Sequence, residues 1–192
     1  MPYYVMVGEG EHPIMPIAKG PDFEGNWRDG GVITEAVPQP LFYTLNPKFP
    51  GDPKPMYYEK AIPVLRNDVA DVLGRTGVDN IQYFDAVLRN PSTGREYRNY
   101  KAYNIVGLVA CADMTASVLM GTSTSALGDV DFAGLVIDES RTGDLLLFRL
   151  AENVSAIVVH ERVKQAIDAN CAIAGPLANW SATQNPCRRS IC

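Results

Sequence analysis

Between Gly77 and Leu150 strand-length apolar runs alternate with turn residues, and this alternation constrains the fold more than any other feature of the chain. Ile81 to Leu88 has the period of a strand, Asn90-Pro91-Ser92-Thr93-Gly94 is a strong turn, and Glu96 to Val109 returns as a long strand. These three segments predict a hairpin at the centre of the fold. Phe132 to Ile137 and Leu145 to Leu150 predict a second hairpin around Glu139-Ser140-Arg141-Thr142-Gly143.

On either side of these hairpins the period becomes helical. Leu65, Val69, Val72 and Leu73 fall at i, i+4, i+7 and i+8 within Val64 to Arg75, with Asn67 or Asp68 near the start and Gly74 and Gly77 at the end. A strand over Ala156 to Val159 leads into a helix from Glu161 to Ala169, with Val163, Ala166 and Ile167 on its inner face. The two apolar sets align at a constant offset of 94 residues. Two strand-to-helix units flanking two hairpins predict an α+β domain with helices packed on a mostly antiparallel sheet.

Upstream, Tyr3 to Val7 and Leu41 to Leu45 are strand candidates. They are separated by an irregular stretch from Glu11 to Pro40, and the second is followed by a stiff proline-rich loop from Asn46 to Pro55. Met114 to Gly128 is small and Ser/Thr-rich, which predicts a mobile loop after a short helical turn. The expected organisation is an arm over residues 1–55, an α+β body over 56–170 and a Cys/Arg-containing tail over 171–192, folding as one unit.

With 192 residues, 46% of them hydrophobic, one core is the default. Seventeen basic against 22 acidic side chains give a net charge of -5, which argues against a nucleic-acid binder held by phosphate contacts and favours a basic partner. Met1 to Glu11 has neither the basic nor the sustained apolar region of a secretory signal, so a cytoplasmic protein is expected. No apolar run reaches the ~18 residues of a membrane span. In that compartment the four cysteines are expected to be free thiols. Cys111 follows Gly107-Leu108-Val109-Ala110 and reads as a small buried apolar residue, while Cys171, Cys187 and Cys192 match no zinc spacing, so no metal is expected.

Catalytic patterns are equally absent from the sequence. Only His12 and His160 offer an imidazole. His160 stands where the last strand enters its helix, a place for packing or capping, and His12 precedes Pro13 in a glycine-rich loop. Gly8-Glu9-Gly10 opens like a dinucleotide fingerprint, but Pro13 and further breakers stand where a helix should begin. There is no Gly-x-Ser-x-Gly elbow and no phosphate-cradling Gly-Lys-Ser/Thr loop, so neither a catalytic set nor a cofactor is expected.

The carboxylate pairs Asp129 with Asp131 and Asp138 with Glu139 are candidate contacts for a basic partner, against a plainer role as turn and surface residues. Arg141 reads as a turn contact. On the long strand Tyr97 and Tyr103 are expected on one face and Tyr100 on the other; core packing accounts for one face, and Tyr100 is the contact candidate.

The ordered series Val78-Asp79-Asn80-Ile81-Gln82-Tyr83-Phe84, Asn90-Pro91-Ser92-Thr93-Gly94, Tyr103-Asn104-Ile105-Val106-Gly107, Leu135-Val136-Ile137-Asp138-Glu139-Ser140 and Leu147-Phe148-Arg149-Leu150-Ala151-Glu152 resembles the Imm11 family, the immunity proteins of bacterial polymorphic toxin systems. The resemblance covers Tyr58 to Asp168, with Tyr3-Tyr4-Val5 and Gly25-Asn26-Trp27-Arg28 also similar. It implies a cytoplasmic protein that binds one cognate protein toxin, encoded by a neighbouring gene, and blocks it without catalytic residues. Family members close the second unit with a glycine turn and a short apolar strand; this chain departs from that pattern from Asn170 onward, so that last strand is expected to be missing, replaced or diverged, and with it the position of the sheet edge. Two rival readings remain: an enzyme using His160, a carboxylate and the Gly121 to Gly128 loop, and a homo-oligomer pairing through an exposed edge.

Overall fold

Helical and strand periods meet inside one stretch, Val64 to Leu73, and the junction shows how the chain builds its layers. The computed structural model describes residues 3–7, 16–23, 25, 27–48, 52–57, 62–120, 129–170 and 179–183. Leu65 belongs to a short strand, β5 (Val64–Arg66), and helix α1 spans Asn67–Thr76. The predicted apolar period therefore runs across a strand-to-helix joint. Arg66 keeps an extended backbone as the residue before the helix and clamps Asp68 through Nε and Nη2 at 2.8 and 2.6 Å. Gly77, at φ 95°, ends the helix: its N–H donates to Gly74 O, and the Val78 N–H donates to Leu73 O.

The second unit repeats this joint. Strand β12 (Ile157–His160) runs directly into α2 (Glu161–Asp168), and the helices begin at Asn67 and Glu161, 94 residues apart. His160 stands where Arg66 stands in the first unit, and its Nδ1 accepts from the Arg162 N–H at 3.0 Å.

The strands are β1 (Tyr3–Val7), β2 (Ile17–Lys19), β3 (Leu41–Leu45), β4 (Met56–Tyr57), β6 (Ile81–Arg89), β7 (Glu96–Ile105), β8 (Leu108–Val109), β9 (Val118–Leu119), β10 (Phe132–Gly134), β11 (Leu147–Leu150) and β13 (Asn179–Ala182), besides β5 and β12. They form a six-stranded sheet in the order β2-β3-β6-β7-β5-β4, a five-stranded sheet in the order β13-β1-β12-β11-β8, and a two-stranded ribbon of β9 and β10. The predicted α+β class holds, but the arrangement is two mixed sheets rather than one antiparallel sheet of two hairpins. β3 runs parallel to β6, and β8 runs parallel to β11.

Residues of alternate parity feed separate cores. Leu65, Tyr103 and Ile105 of the six-stranded sheet join Met6, Leu147, Ile157 and Val159 of the five-stranded one, and Val69, Val72, Leu73, Val163 and Ile167 of the helices complete this central cluster. Tyr43, Val64, Leu88 and Tyr100 face the other way, where Trp27 and Ile33 of the irregular N-terminal stretch cover them. Tyr3, Phe148, Leu150 and Val158 are covered by Cys111, Ala112, Leu135 and Ile137. Every residue of β11 and β12 is buried, which explains why both strands are apolar at every position except Arg149 and His160.

The central hairpin forms as predicted, β6 with β7. Three other expectations are corrected. The segment from Glu96 to Val109 is two strands, because Gly107, at φ 129°, turns the chain out of the six-stranded sheet and β8 enters the five-stranded one. The second hairpin does not form: β10 pairs with β9, and β11 pairs with β12 and β8. The partner of β11 is thus the next strand along, Leu147 opposite Val159. Within Met114 to Gly128, Val118–Leu119 is a strand, while residues 121–128 of the predicted loop lie outside the described residues.

Candidate functional site

The segment between β8 and β11 leaves the five-stranded sheet, covers its outer core and returns. Cys111 and Ala112 begin it, fully buried, and Ala112 bridges to Ile137. Asp113 then turns the chain: its Oδ1 accepts from the Thr115 N–H, the Thr115 hydroxyl and the Ala116 N–H. These bonds, the Thr115 hydroxyl first, hold its carboxyl below the usual range. Ser117 Oγ accepts from the Val136 N–H at 2.9 Å, and the β9–β10 ribbon follows.

At its far end the ribbon is tied back to the turn after β11. The Val130 N–H donates to Glu152 O, and Asn153 Nδ2 donates to Val130 O. Its outer surface is apolar. Val118 and Met120, at alternate positions, are 54% and 59% exposed, and Leu119, which alternation puts on the other face, and Met114, in the preceding turn, are exposed as well. These account for four of the seven exposed large hydrophobic residues among the described ones, so exposed apolar surface is concentrated here. Asp129 and Asp131 are exposed on the returning limb, and Asp131 O accepts from the Met120 N–H.

The structure therefore separates the two predicted carboxylate pairs. Asp129 and Asp131 flank the apolar ribbon. Asp138 caps the 3-10 turn Glu139–Arg141, accepting from the Ser140 N–H and the Ser140 hydroxyl, and Glu139 O accepts from the Thr142 hydroxyl. In the same turn region the Tyr3 hydroxyl lies 3.1 Å from both Thr142 Oγ1 and Leu145 O.

Tyr100, the predicted contact candidate, is buried rather than presented at the surface. It is 3% exposed, and its hydroxyl donates to Pro53 O and Lys54 O. The predicted facing of the three tyrosines also fails: Tyr97 and Tyr100 pack with the same cluster, and Tyr103 lies in the other. A bulge is the cause, because Ala86 pairs with Tyr100 but Leu88 with Tyr97, so β7 carries one residue more than β6 between these pairs and the parity flips.

His160 is 9% exposed, with the Tyr3 ring edge-on at 5.2 Å and the Nδ1 lone pair committed to the α2 cap. The Ser/Thr-rich loop invoked with it, residues 121–128, lies outside the described residues, as do His12, Gly8-Glu9-Gly10, Cys171, Cys187 and Cys192. Among the described residues no group of three or more His, Cys, Asp or Glu side chains could hold a metal ion, and no helix is long and apolar enough to cross a membrane.

The predicted burial of Cys111 is observed. Desolvation, followed by the negative field of Glu152, pushes its thiol up to about 12. We expect the Cys111 peptide to stay unlabelled by iodoacetamide at pH 8 until the protein is unfolded in urea, as read by mass spectrometry; rapid labelling of the native protein would contradict this burial.

Sequence reasoning missed the ribbon itself. Val118-Leu119-Met120 is a three-residue apolar run inside a Ser/Thr-rich stretch, too short to show a period, and its only signal is three apolar residues with no turn chemistry among them. Also missed was the burial of two charged residues, Arg149 and Glu152, at 1% and 4% exposure. No protein-family model matches the chain, and no curated protein matches it.

Proposed function

We propose that this chain is an immunity protein that binds a cognate bacterial toxin in the cytoplasm and neutralises it by stoichiometric, non-covalent occlusion. The observation that supports the reading is the ribbon, where Val118 and Met120 are exposed at alternate positions, Met114 and Leu119 are exposed nearby in the chain, and Asp129 and Asp131 are exposed on the returning limb. The ordered series of residues that resembles the Imm11 family supplies the class of partner. Apolar side chains at the centre of a contact supply affinity, and flanking carboxylates steer a basic toxin and set its orientation.

The test is co-purification of the tagged chain with the product of its neighbouring gene, scored for a one-to-one complex and for rescue of cells expressing that product. Val118→Asp combined with Met120→Asp is expected to weaken the complex by about 30-fold or more, the loss of one or two hot-spot contacts. Because both side chains are more than half exposed, the melting temperature should hardly move. Asp129→Lys with Asp131→Lys is expected to slow association about tenfold at low salt, an effect that fades as salt is added. Unchanged affinity in the apolar pair would remove the ribbon from the contact, and unchanged association in the charge-reversed pair would remove its carboxylates. A folded chain that binds no neighbouring product would defeat the immunity reading itself.

A further inference from the structure

Helices α1 and α2 cover only part of the six-stranded sheet, and at the β2-β3-β6 end an open groove of about 520 Å³ lies over the strands. Its volume suits a small-molecule ligand. Lys19 is opposite Thr44 on β3, and Thr44 is opposite Arg89 on β6, so a cation, a hydroxyl and a second cation form one row across three strands. All three line the groove. At the usual strand spacing, the ends of such a row stand about 10 Å apart at Cα, close enough for both long side chains to reach one anionic group.

Arg89 is held in place before any ligand arrives. Its Cζ lies 3.8 Å over the Phe42 ring, and its Nε donates to Glu96 Oε1 at 2.9 Å. The guanidinium is thereby oriented, with its side chain still 49% exposed. An arginine fixed in this way loses little freedom on binding and can stack a second planar group on its outer face. Pro38 and Pro40 form an apolar wall, latched to β6 by Gln39 Oε1, which accepts from the Asp85 N–H at 2.7 Å. Pro21 and one carboxylate, Asp22, also line the groove.

We propose that this groove binds a planar aromatic anion, with the ring stacked on Arg89 among the lining prolines and a phosphate or carboxylate held by the Lys19–Thr44–Arg89 row. The proposal is independent of the ribbon and of toxin binding. It commits to a ligand carrying both parts, because the row supplies charge and the Arg89–Phe42 stack supplies a platform.

Adenosine 5′-monophosphate is a suitable probe, titrated into the full chain at low ionic strength and followed by amide chemical shifts. Saturable shifts at Lys19, Phe42, Thr44 and Arg89 are expected. Adenosine, which lacks the charge, and inorganic phosphate, which lacks the ring, should each bind at least about tenfold more weakly. Arg89→Met keeps an apolar stem over Phe42 and should lower affinity by about tenfold or more; Lys19→Met, at an exposed edge position, should do the same and serves if the first variant folds poorly. No saturation by about 10 mM, a Kd weaker than any specific site here would give, would overturn the proposal. So would equal binding of adenosine or of phosphate, shifts centred elsewhere, or unchanged affinity in both variants.

Discussion

Gly30→Val lowers the stability of this protein by about 3 kcal/mol or more, from overpacking and from forcing a β-branched residue into the left-handed region. Gly30 has φ 74°, and a Cβ placed on it would lie 2.7 Å from both Leu108 Cβ and Leu108 N and 2.9 Å from Gly107 C. Two of these three atoms are backbone. They cannot retreat cheaply, because the Gly107 N–H donates to Gly30 O at 2.8 Å and β8 is paired to β11. Gly30 thus lies where the N-terminal stretch crosses the point at which the chain leaves one sheet for the other. Gly74 provides the contrast: it lies inside α1, and a methyl group added there would meet nothing within 4 Å, so Gly74→Ala should stabilise by about 0.5–1 kcal/mol. Urea unfolding of both variants checks the pair. A Gly30→Val protein as stable as the parent would mean that the crossing is not close-packed.

Where a local rule decides an element, the sequence predicts it well. Gly77 ends α1, Asn90 to Gly94 turns the central hairpin, and His160 caps α2, each through chemistry confined to a few neighbouring residues. Errors begin where a distant partner decides. The apolar run nearest upstream is the obvious partner for Leu145 to Leu150, yet β11 takes β12 on one side and the parallel β8, some forty residues earlier in the chain, on the other. Burial on both faces erases the alternation that would distinguish the faces of β11.

The candidate contacts show the same division. Asp129 and Asp131 are on the surface, as their charge suggests, and Asp138 is a cap, the plainer of its two expected roles. Tyr100 is buried because Trp27 and Ile33 of the N-terminal stretch join the cluster on its face, and the bulge in β7 turns Tyr97 onto that same face; no propensity marks either feature. The ribbon is illegible in the sequence because its exposure depends on where β9 and β10 are anchored, by Ser117 to Val136 and by Val130 to Glu152, which are tertiary hydrogen bonds.

Arg149→Met is expected to raise stability by about 1–4 kcal/mol, the range found when buried ion pairs are replaced by apolar side chains of similar volume, because here the charge lacks even a carboxylate partner among the described residues to offset its desolvation. Arg149 is 1% exposed within β11. Its Nη1 donates to Val154 O at 2.9 Å, while Nε and Nη2 are buried with no hydrogen-bond partner among the described residues. Desolvation is the main influence lowering its pKa; Tyr103 opposes this, and the positive field of Arg28 adds to it. Among the described residues no carboxylate pairs with the charge. Glu152, the buried carboxylate closest in sequence, accepts instead from the Ala112 N–H at 3.2 Å. One bond from five donors leaves most of the desolvation cost standing, whereas Met fills the space with a flexible apolar chain. In a chain of this length each kcal/mol raises the melting temperature by about 2–4 °C. Folded and unfolded chains both carry the protonated guanidinium far below its ordinary pKa, so the gain should be flat from about pH 5 to pH 9, unlike a contribution from a group titrating in that window. Arg149→Lys, which retains a charge but not the reach to Val154, should destabilise instead. If Met also destabilises, the Val154 bond and the packed stem outweigh the unpaired nitrogens; if it stabilises, the guanidinium opposes the fold that buries it.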